Sequence, residues 1–193
     1  MEQDRDDLMR VIAGSLRGRP LLTAKGDSTR PTGARVREAL FSILGELDGA
    51  RVLDLYAGSG ALAIEALSRG AARAVLVESG RAAQRAIRSN LSSLGIAPLA
   101  TLLPLRAEAS FGPLASHGPF ELVFADPPWA DAQAALGVLE KLVERQFLAP
   151  GARLVLEHAA RDTPLGKQRL ALIDRRTWGD TAVTIFEHRA EVS

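Results

Sequence analysis

From residue 51 onward the sequence alternates short apolar, β-branched runs with longer stretches whose apolar residues recur at helical spacing, and this alternation constrains the fold more than any other feature. The strand-like runs are 51–55, 74–78, 99–105, 121–125 and 153–157. Between them, 61–69, 81–94, a short stretch near 109–116, and 131–147 carry helical spacing. A strand–helix–strand pattern repeated in this way predicts a parallel sheet covered on both faces, because each crossover helix must bury its apolar stripe. After residue 157 the pattern changes. Residues 169–176 and 181–187 read as two strands joined across Trp178-Gly179-Asp180, an antiparallel hairpin closing the sheet edge. The expected fold is α/β and Rossmann-like, with a seven-stranded, mostly parallel sheet and a C-terminal antiparallel hairpin.

Ahead of the sheet, 34–47 reads as an amphipathic helix with Val36, Leu40, Ile43, Leu44 and Leu47 on one stripe, and Phe41 as core. Segments 9–13 and 19–23 flank Gly14 to Gly18 and predict a small N-terminal β-hairpin. Residues 24–33, with Gly26, Pro31 and Gly33, read as a loop in which Thr32 could cap the helix. The division that follows is an extension over 1–8, a basic hairpin and loop over 9–33, and the main domain over 34–193.

Charge sharpens this division. The 193-residue chain carries 24 Lys+Arg against 23 Asp+Glu, a net +1. Residues 10–37, however, hold Arg10, Arg17, Arg19, Lys25, Arg30, Arg35 and Arg37 against Asp27 alone. A neutral whole therefore contains a basic arm and a slightly acidic body. Arg10, Arg17, Arg19, Lys25 and Arg30 are candidates for RNA phosphates; Arg35 and Arg37, on a helix with Glu38, could simply make local pairs. The absence of cysteine excludes disulfides, thiolate metal sites and a cysteine nucleophile. His117, His158 and His188 show no ligand spacing, so no metal is expected. No apolar run approaches the ~20 residues of a membrane span, and the acidic N-terminus is unlike a signal peptide. The expected location is cytoplasmic.

Two motifs carry chemistry. Asp54-Leu55-Tyr56-Ala57-Gly58-Ser59-Gly60 lies where the first strand gives way to a helix, so its glycines permit a tight turn and close ligand approach. Glu78 ends the next strand, where a nucleotide ribose finds acceptors for its hydroxyls. Gly58-x-Gly60-x-x-Ala63 with Glu78 also fits a dinucleotide site, so an NAD(P)-dependent oxidoreductase is an alternative. Asp54 favours S-adenosylmethionine, because a carboxylate repels a pyrophosphate and attracts an ammonium. The second motif, Asp126-Pro127-Pro128-Trp129, follows an apolar strand. Its two prolines stiffen the chain and remove N–H donors, leaving acceptors beside an aromatic ring. That set suits methyl transfer to an exocyclic amine: Trp129 stacks the base while Asp126 and the Pro127 carbonyl orient the nitrogen.

Together, Asp54 to Gly60, Glu78 and Asp126 to Trp129 resemble class I S-adenosylmethionine-dependent methyltransferases acting on amino groups. Met9 to Gly14, Arg30-Pro31-Thr32, Arg35 to Phe41 and Gly179 to Val183 resemble the bacterial small-subunit rRNA guanine-N2 methyltransferase family. The resemblance implies a guanine of 16S rRNA as substrate, naked or within a small-subunit assembly particle, and S-adenosylmethionine as cofactor. It implies cofactor contacts by Asp54, Ala57, Gly58, Gly60, Glu78 and Glu108, and a substrate site at Asp126, Pro127, Pro128 and Trp129. Glu108 stands where the family has Asp or Asn, one methylene longer, and Met9 stands where the family's chains begin. An adenine-N6 or cytosine-N4 methyltransferase, and an RNA-binding module without chemistry, are the other readings.

Overall fold

The computed structural model describes residues 9–23, 31–164, 166 and 169–189. Seven strands form one sheet: β1 (Arg51–Leu55), β2 (Arg73–Val77), β3 (Ala100–Leu103), β4 (Phe120–Ala125), β5 (Leu148–Ala159), β6 (Leu170–Trp178) and β7 (Thr181–His188), in the order β3-β2-β1-β4-β5-β7-β6. The first five are parallel; β5 pairs antiparallel with β7, and β7 with β6. This is the expected Rossmann-like arrangement, with its closing hairpin. β1 and β2 are buried at every position after the first, as strands covered on both faces must be.

Five helices supply the cover: α1 (Pro31–Leu44), α2 (Ala61–Ser68), α3 (Arg81–Ser93), α4 (Phe111–Leu114) and α5 (Ala132–Glu144). One apolar layer unites Val36, Leu40, Phe41 and Leu44 of α1, Ile64 and Leu67 of α2, and Ile87 and Leu91 of α3 with Val52, Leu76 and Phe124 of the sheet. The opposite layer joins α4 and α5 to Leu53, Val75, Val123 and Leu154. Successive strand residues alternate between the two layers, which is how a period of two distributes one strand over two faces. Among the described residues no helix is long and apolar enough to cross a membrane.

One expectation before residue 34 is corrected. Helix α1 begins at Pro31 rather than Ala34, so 31–33 are helical and Thr32 is not its cap. Proline suits a first helical position, since the N–H it lacks would have no partner there. The expected N-terminal hairpin is present and short: around the antiparallel bridge of Arg10 with Pro20, Val11 N–H donates to Arg19 O at 3.0 Å, Leu21 N–H to Met9 O at 2.8 Å and Gly18 N–H to Val11 O at 2.8 Å. Only the donors beyond this paired stretch turn to side chains of the main body. Ile12 and Ala13 N–H donate to the two oxygens of Glu65, at 2.7 and 3.0 Å, and Leu16 N–H donates to Ser68 Oγ at 2.9 Å. Gly14, at φ +80°, lies so close to α2 that a Cβ would sit 1.8 Å from Ser68 O. Val11 and Leu21 enter the core layer beneath α1 to α3, so segment 9–23 packs as part of the domain.

Candidate functional site

Strand register assembles the site. Leu55 of β1 lies beside Val77 of β2 on one side and Ala125 of β4 on the other. The residues that follow these three leave the sheet together: Tyr56 with the glycine loop, Glu78, and Asp126. The order of strands reverses between β1 and β4, and the crevice at such a switch point, outside the carboxyl ends of the strands, is where open α/β sheets bind ligands.

The glycine loop is shaped by its neighbours. Ala57 N–H donates to Val77 O at 3.1 Å, and Gly60 N–H turns back to Ala57 O at 2.7 Å. Gly58 and Gly60 adopt φ +56° and +79°. At Gly60 a Cβ would meet Leu76 at 3.0 Å; at Gly58 it would project into open space, so that glycine is required by its backbone conformation rather than by packing. Glu78 is the loop's second support. One carboxylate oxygen accepts Gly58 N–H at 2.8 Å and the other Gly80 N–H at 2.6 Å. Each oxygen retains a lone pair, so the side chain can still accept from a pair of hydroxyls.

Asp54 is buried inside this frame, at 1% exposure. Its Oδ2 accepts Ala63 N–H, in the first turn of α2, at 3.1 Å. It therefore ties the helix N-terminus to the strand. Burial drives its pKa up to about 8; the Ala63 N–H opposes the rise, and nearby Asp126 and Glu78 add to it. Asp54, Glu78 and Asp126 thus converge on one crevice, a setting that suits a cationic ligand better than a pyrophosphate.

On the far side of the crevice, Asp126 is exposed, Pro127 buried, Pro128 exposed and Trp129 half-buried. The Pro128 carbonyl accepts Asp131 N–H at 2.7 Å, closing a turn over Trp129–Asp131 that leads into α5. Asp131 therefore precedes α5, but its side chain makes no cap hydrogen bond. Glu108, exposed on a short turn after β3, accepts the Tyr56 hydroxyl at 3.4 Å and lies 3.6 Å from Arg106.

Tyr56 is the site residue that sequence reasoning missed. It holds φ +60° without being glycine, a strained conformation of the kind that collects at ligand sites. Burial and the adjacent Glu108 carboxylate raise its pKa. Its place inside the glycine motif was the available signal; its strain and its bond to Glu108 depend on the folded chain.

The basic residues divide. Arg10, Arg17 and Arg19 are exposed on the arm; one Arg10 nitrogen donates to Gly18 O at 3.0 Å and one Arg19 nitrogen to Ser93 O at 3.1 Å. Lys25 and Arg30 lie outside the described residues. Arg37 turns inward and donates to Arg10 O at 2.6 Å, an anchor rather than a local pair with Glu38. Buried Asn90 links arm to loop: its Nδ2 donates to Leu22 O and Ser59 O, both at 3.0 Å, and its Oδ1 accepts Leu22 N–H at 2.8 Å. Among the described residues no group of three or more His, Asp or Glu could hold a metal ion.

Residues 9–187 match the family described as conserved hypothetical protein 95. The chain belongs to this family. Over 190 residues it is 35% identical to the Escherichia coli K12 protein named ribosomal RNA small subunit methyltransferase D, covering 95% of this chain and 91% of that protein. It superposes on the solved structure of E. coli YhhF with a TM-score of 0.80 and 33% identity, over 95% of this chain and 99% of the other. An RNA methyltransferase from Salinibacter ruber, solved in complex with S-adenosyl-L-homocysteine, gives a TM-score of 0.64 at 21% identity, over 85% of this chain and 97% of that one, a likeness of fold. The conserved hypothetical protein 95 chain described here thus has the class I methyltransferase fold.

Proposed function

We propose that this protein transfers a methyl group from S-adenosylmethionine to the exocyclic N2 amine of a guanine in small-subunit ribosomal RNA. The observation that carries this reading is the shared register at Leu55, Val77 and Ala125, which sets the glycine loop, Glu78 and Asp126-Pro127-Pro128-Trp129 around one crevice. The methyltransferase relative of similar length supports it.

The residues present fit the cofactor. Glu78 is assigned the ribose hydroxyls, Asp54 the amino group, the backbone of Ala57, Gly58 and Gly60 the close contact along the loop, and Glu108 the adenine. When bound, S-adenosylmethionine supplies an electrophilic methyl on a sulfonium that departs as a neutral thioether. On the substrate side, Trp129 stacks the flipped-out base. Asp126 and the Pro127 carbonyl accept the two amine hydrogens, turn the nitrogen lone pair out of conjugation and favour the positive charge developing there. The methylated amine is then acidic enough to lose a proton without a strong base. Arg10, Arg17 and Arg19 are assigned phosphate contacts, with Lys25 and Arg30 completing the set. The reading extends to a cytoplasmic enzyme acting on rRNA within an assembly particle, which is checked by comparing methyl acceptance of naked rRNA and of particles.

Transfer of tritiated methyl from cofactor to rRNA, followed by nucleoside mapping, tests the central reading. N2-methylguanosine is expected; label on adenine N6 or cytosine N4 would move the substrate to the alternative class. Asp126→Ala should lower kcat by roughly 10²–10³-fold with cofactor binding retained, in line with the loss of one preorganised transition-state contact. Unchanged turnover in that variant sinks the role given to Asp126.

A further inference from the structure

Helix α3 carries Arg81, Arg85 and Arg88 in the sequence Arg-Ala-Ala-Gln-Arg-Ala-Ile-Arg-Ser-Asn-Leu-Ser-Ser, with no acidic residue anywhere on it. Spacings of four and three place the three side chains on one stripe. All three are exposed, while Ala86, Ile87, Asn90 and Leu91 on the other side are buried. Among the described residues none of the three makes an ion pair or a side-chain hydrogen bond. The arrangement is electrostatically unfavourable for the helix itself. Like charges three and four apart repel, and Arg81 occupies the first turn, where the helix dipole disfavours a cation. An isolated helix would gain by replacing any of them with Glu, so their presence points outward, to a polyanion.

Both ends of the row are fixed. At its C-terminal end, Arg19 of the arm donates to Ser93 O, which places that exposed side chain beside the end of α3. At its N-terminal end, Gly80 is tied to Glu78 in the crevice. Arg81 to Ser93 is 13 residues, a path of roughly 20 Å at 1.5 Å per residue.

We infer that Arg81, Arg85 and Arg88 form a phosphate-binding track continuous with the arm, along which the substrate RNA backbone runs between Arg19 and the crevice. This rests on the proposed action on RNA and adds a surface that the glycine loop, the Asp-Pro-Pro-Trp motif and the arm do not include. Arginine suits it, being always charged and able to fork across phosphate oxygens.

The test is filter binding of the full chain to in vitro transcribed 16S rRNA across a salt series, comparing wild type, the triple variants R81Q/R85Q/R88Q and R81K/R85K/R88K, and the arm variant R10Q/R17Q/R19Q. Each phosphate contact adds about 0.7–0.9 to the slope of log K against log salt, so the glutamine triple should flatten the slope by about 2–3 and weaken binding at least ~10-fold near 0.1 M salt. The lysine triple should retain most of the slope. S-adenosylhomocysteine binding to the glutamine triple should stay measurable by calorimetry; its loss together with RNA affinity would reassign the row to cofactor or fold. An unchanged affinity and slope in the glutamine triple overturns the track, and if the arm variant still loses affinity the RNA reading survives. A wild-type chain that neither binds nor methylates the rRNA overturns both. Loss of binding to anionic lipid vesicles, with RNA binding intact, also overturns it.

Discussion

A carboxyl held at 1% exposure with a pKa near 8 makes the binding of a cation a proton-coupled event. At pH 7 Asp54 is mostly protonated in the ligand-free chain, whereas a bound ammonium stabilises its charged form. Calorimetry of S-adenosylhomocysteine binding in buffers of different ionisation enthalpy should therefore show release of up to about one proton at pH 7, and Asp54→Asn should abolish that release. The stability consequence has a definite sign. Folding raises this pKa from about 3.9, so the native chain holds a proton that the unfolded chain lacks across pH 4 to 8. Stability then falls as pH rises through that window, and Asp54→Asn should flatten the decline in Tm. Tyr56 acts through its neighbour. Tyr56→Phe removes the hydroxyl that holds Glu108, and weaker S-adenosylhomocysteine binding by roughly two- to five-fold is expected, with little change in Tm, since an exposed hydrogen bond contributes about 0.5–1 kcal/mol. Of these residues, Asp54, Glu78 and Asp126 were legible because glycine spacing and strand ends are written in the sequence. Tyr56 was not, because a positive φ at a non-glycine residue is imposed by surroundings.

Among the elements, the arm departs most from what periodicity implies. Its apolar alternation was read as two paired strands, and Val11 and Leu21 do pair across it, yet side chains of α2 and α3 take the neighbouring donors of Ile12, Ala13, Leu16 and Leu22. Sequence alternation shows which residues face a core, as Val11 and Leu21 do, but not which partner satisfies the N–H groups between them. Glu65 makes the distinction testable. Its buried carboxylate serves Ile12 N–H, Ala13 N–H and, at 2.8 Å, Arg69 Nε. Glu65→Gln places an amide donor against a donor and should cost about 2–3 kcal/mol. Amide exchange at Ile12 and Ala13 should rise well above that of β1 in this variant; protection equal to wild type would mean that the arm is held by its apolar contacts alone. The α1 boundary failed for a related reason: Pro31 reads as a loop residue in a chain rich in glycine, although a first helical turn accepts it equally well.

For the whole molecule, the parallel sheet and its closing hairpin were readable because each crossover helix announces a parallel neighbour, and the change of period after residue 157 announces the antiparallel end; the order of the strands was not. The arm's integration into the same core was not, since 9–23 is short, glycine-bearing and basic. Removing 9–22 takes away two almost fully buried aliphatic side chains, Val11 and Leu21 at 2% and 1% exposure. At about 1.5–3 kcal/mol for each, the truncated chain should lose roughly 3–6 kcal/mol, read as a lower urea midpoint for the entire domain rather than the loss of a separate transition. An unchanged midpoint would show that the arm is dispensable for folding.

The clamp also orders the protein's biogenesis. The backbone groups of Ile12 and Leu22 wait for partners 53 and 68 positions later, Glu65 and Asn90. During synthesis the arm is therefore the first of these segments to leave the ribosome and the last to acquire its seat. The arm can be seated fully only once α3 has been made, because the one side chain of Asn90 holds Leu22 of the arm and, through Ser59, the glycine loop.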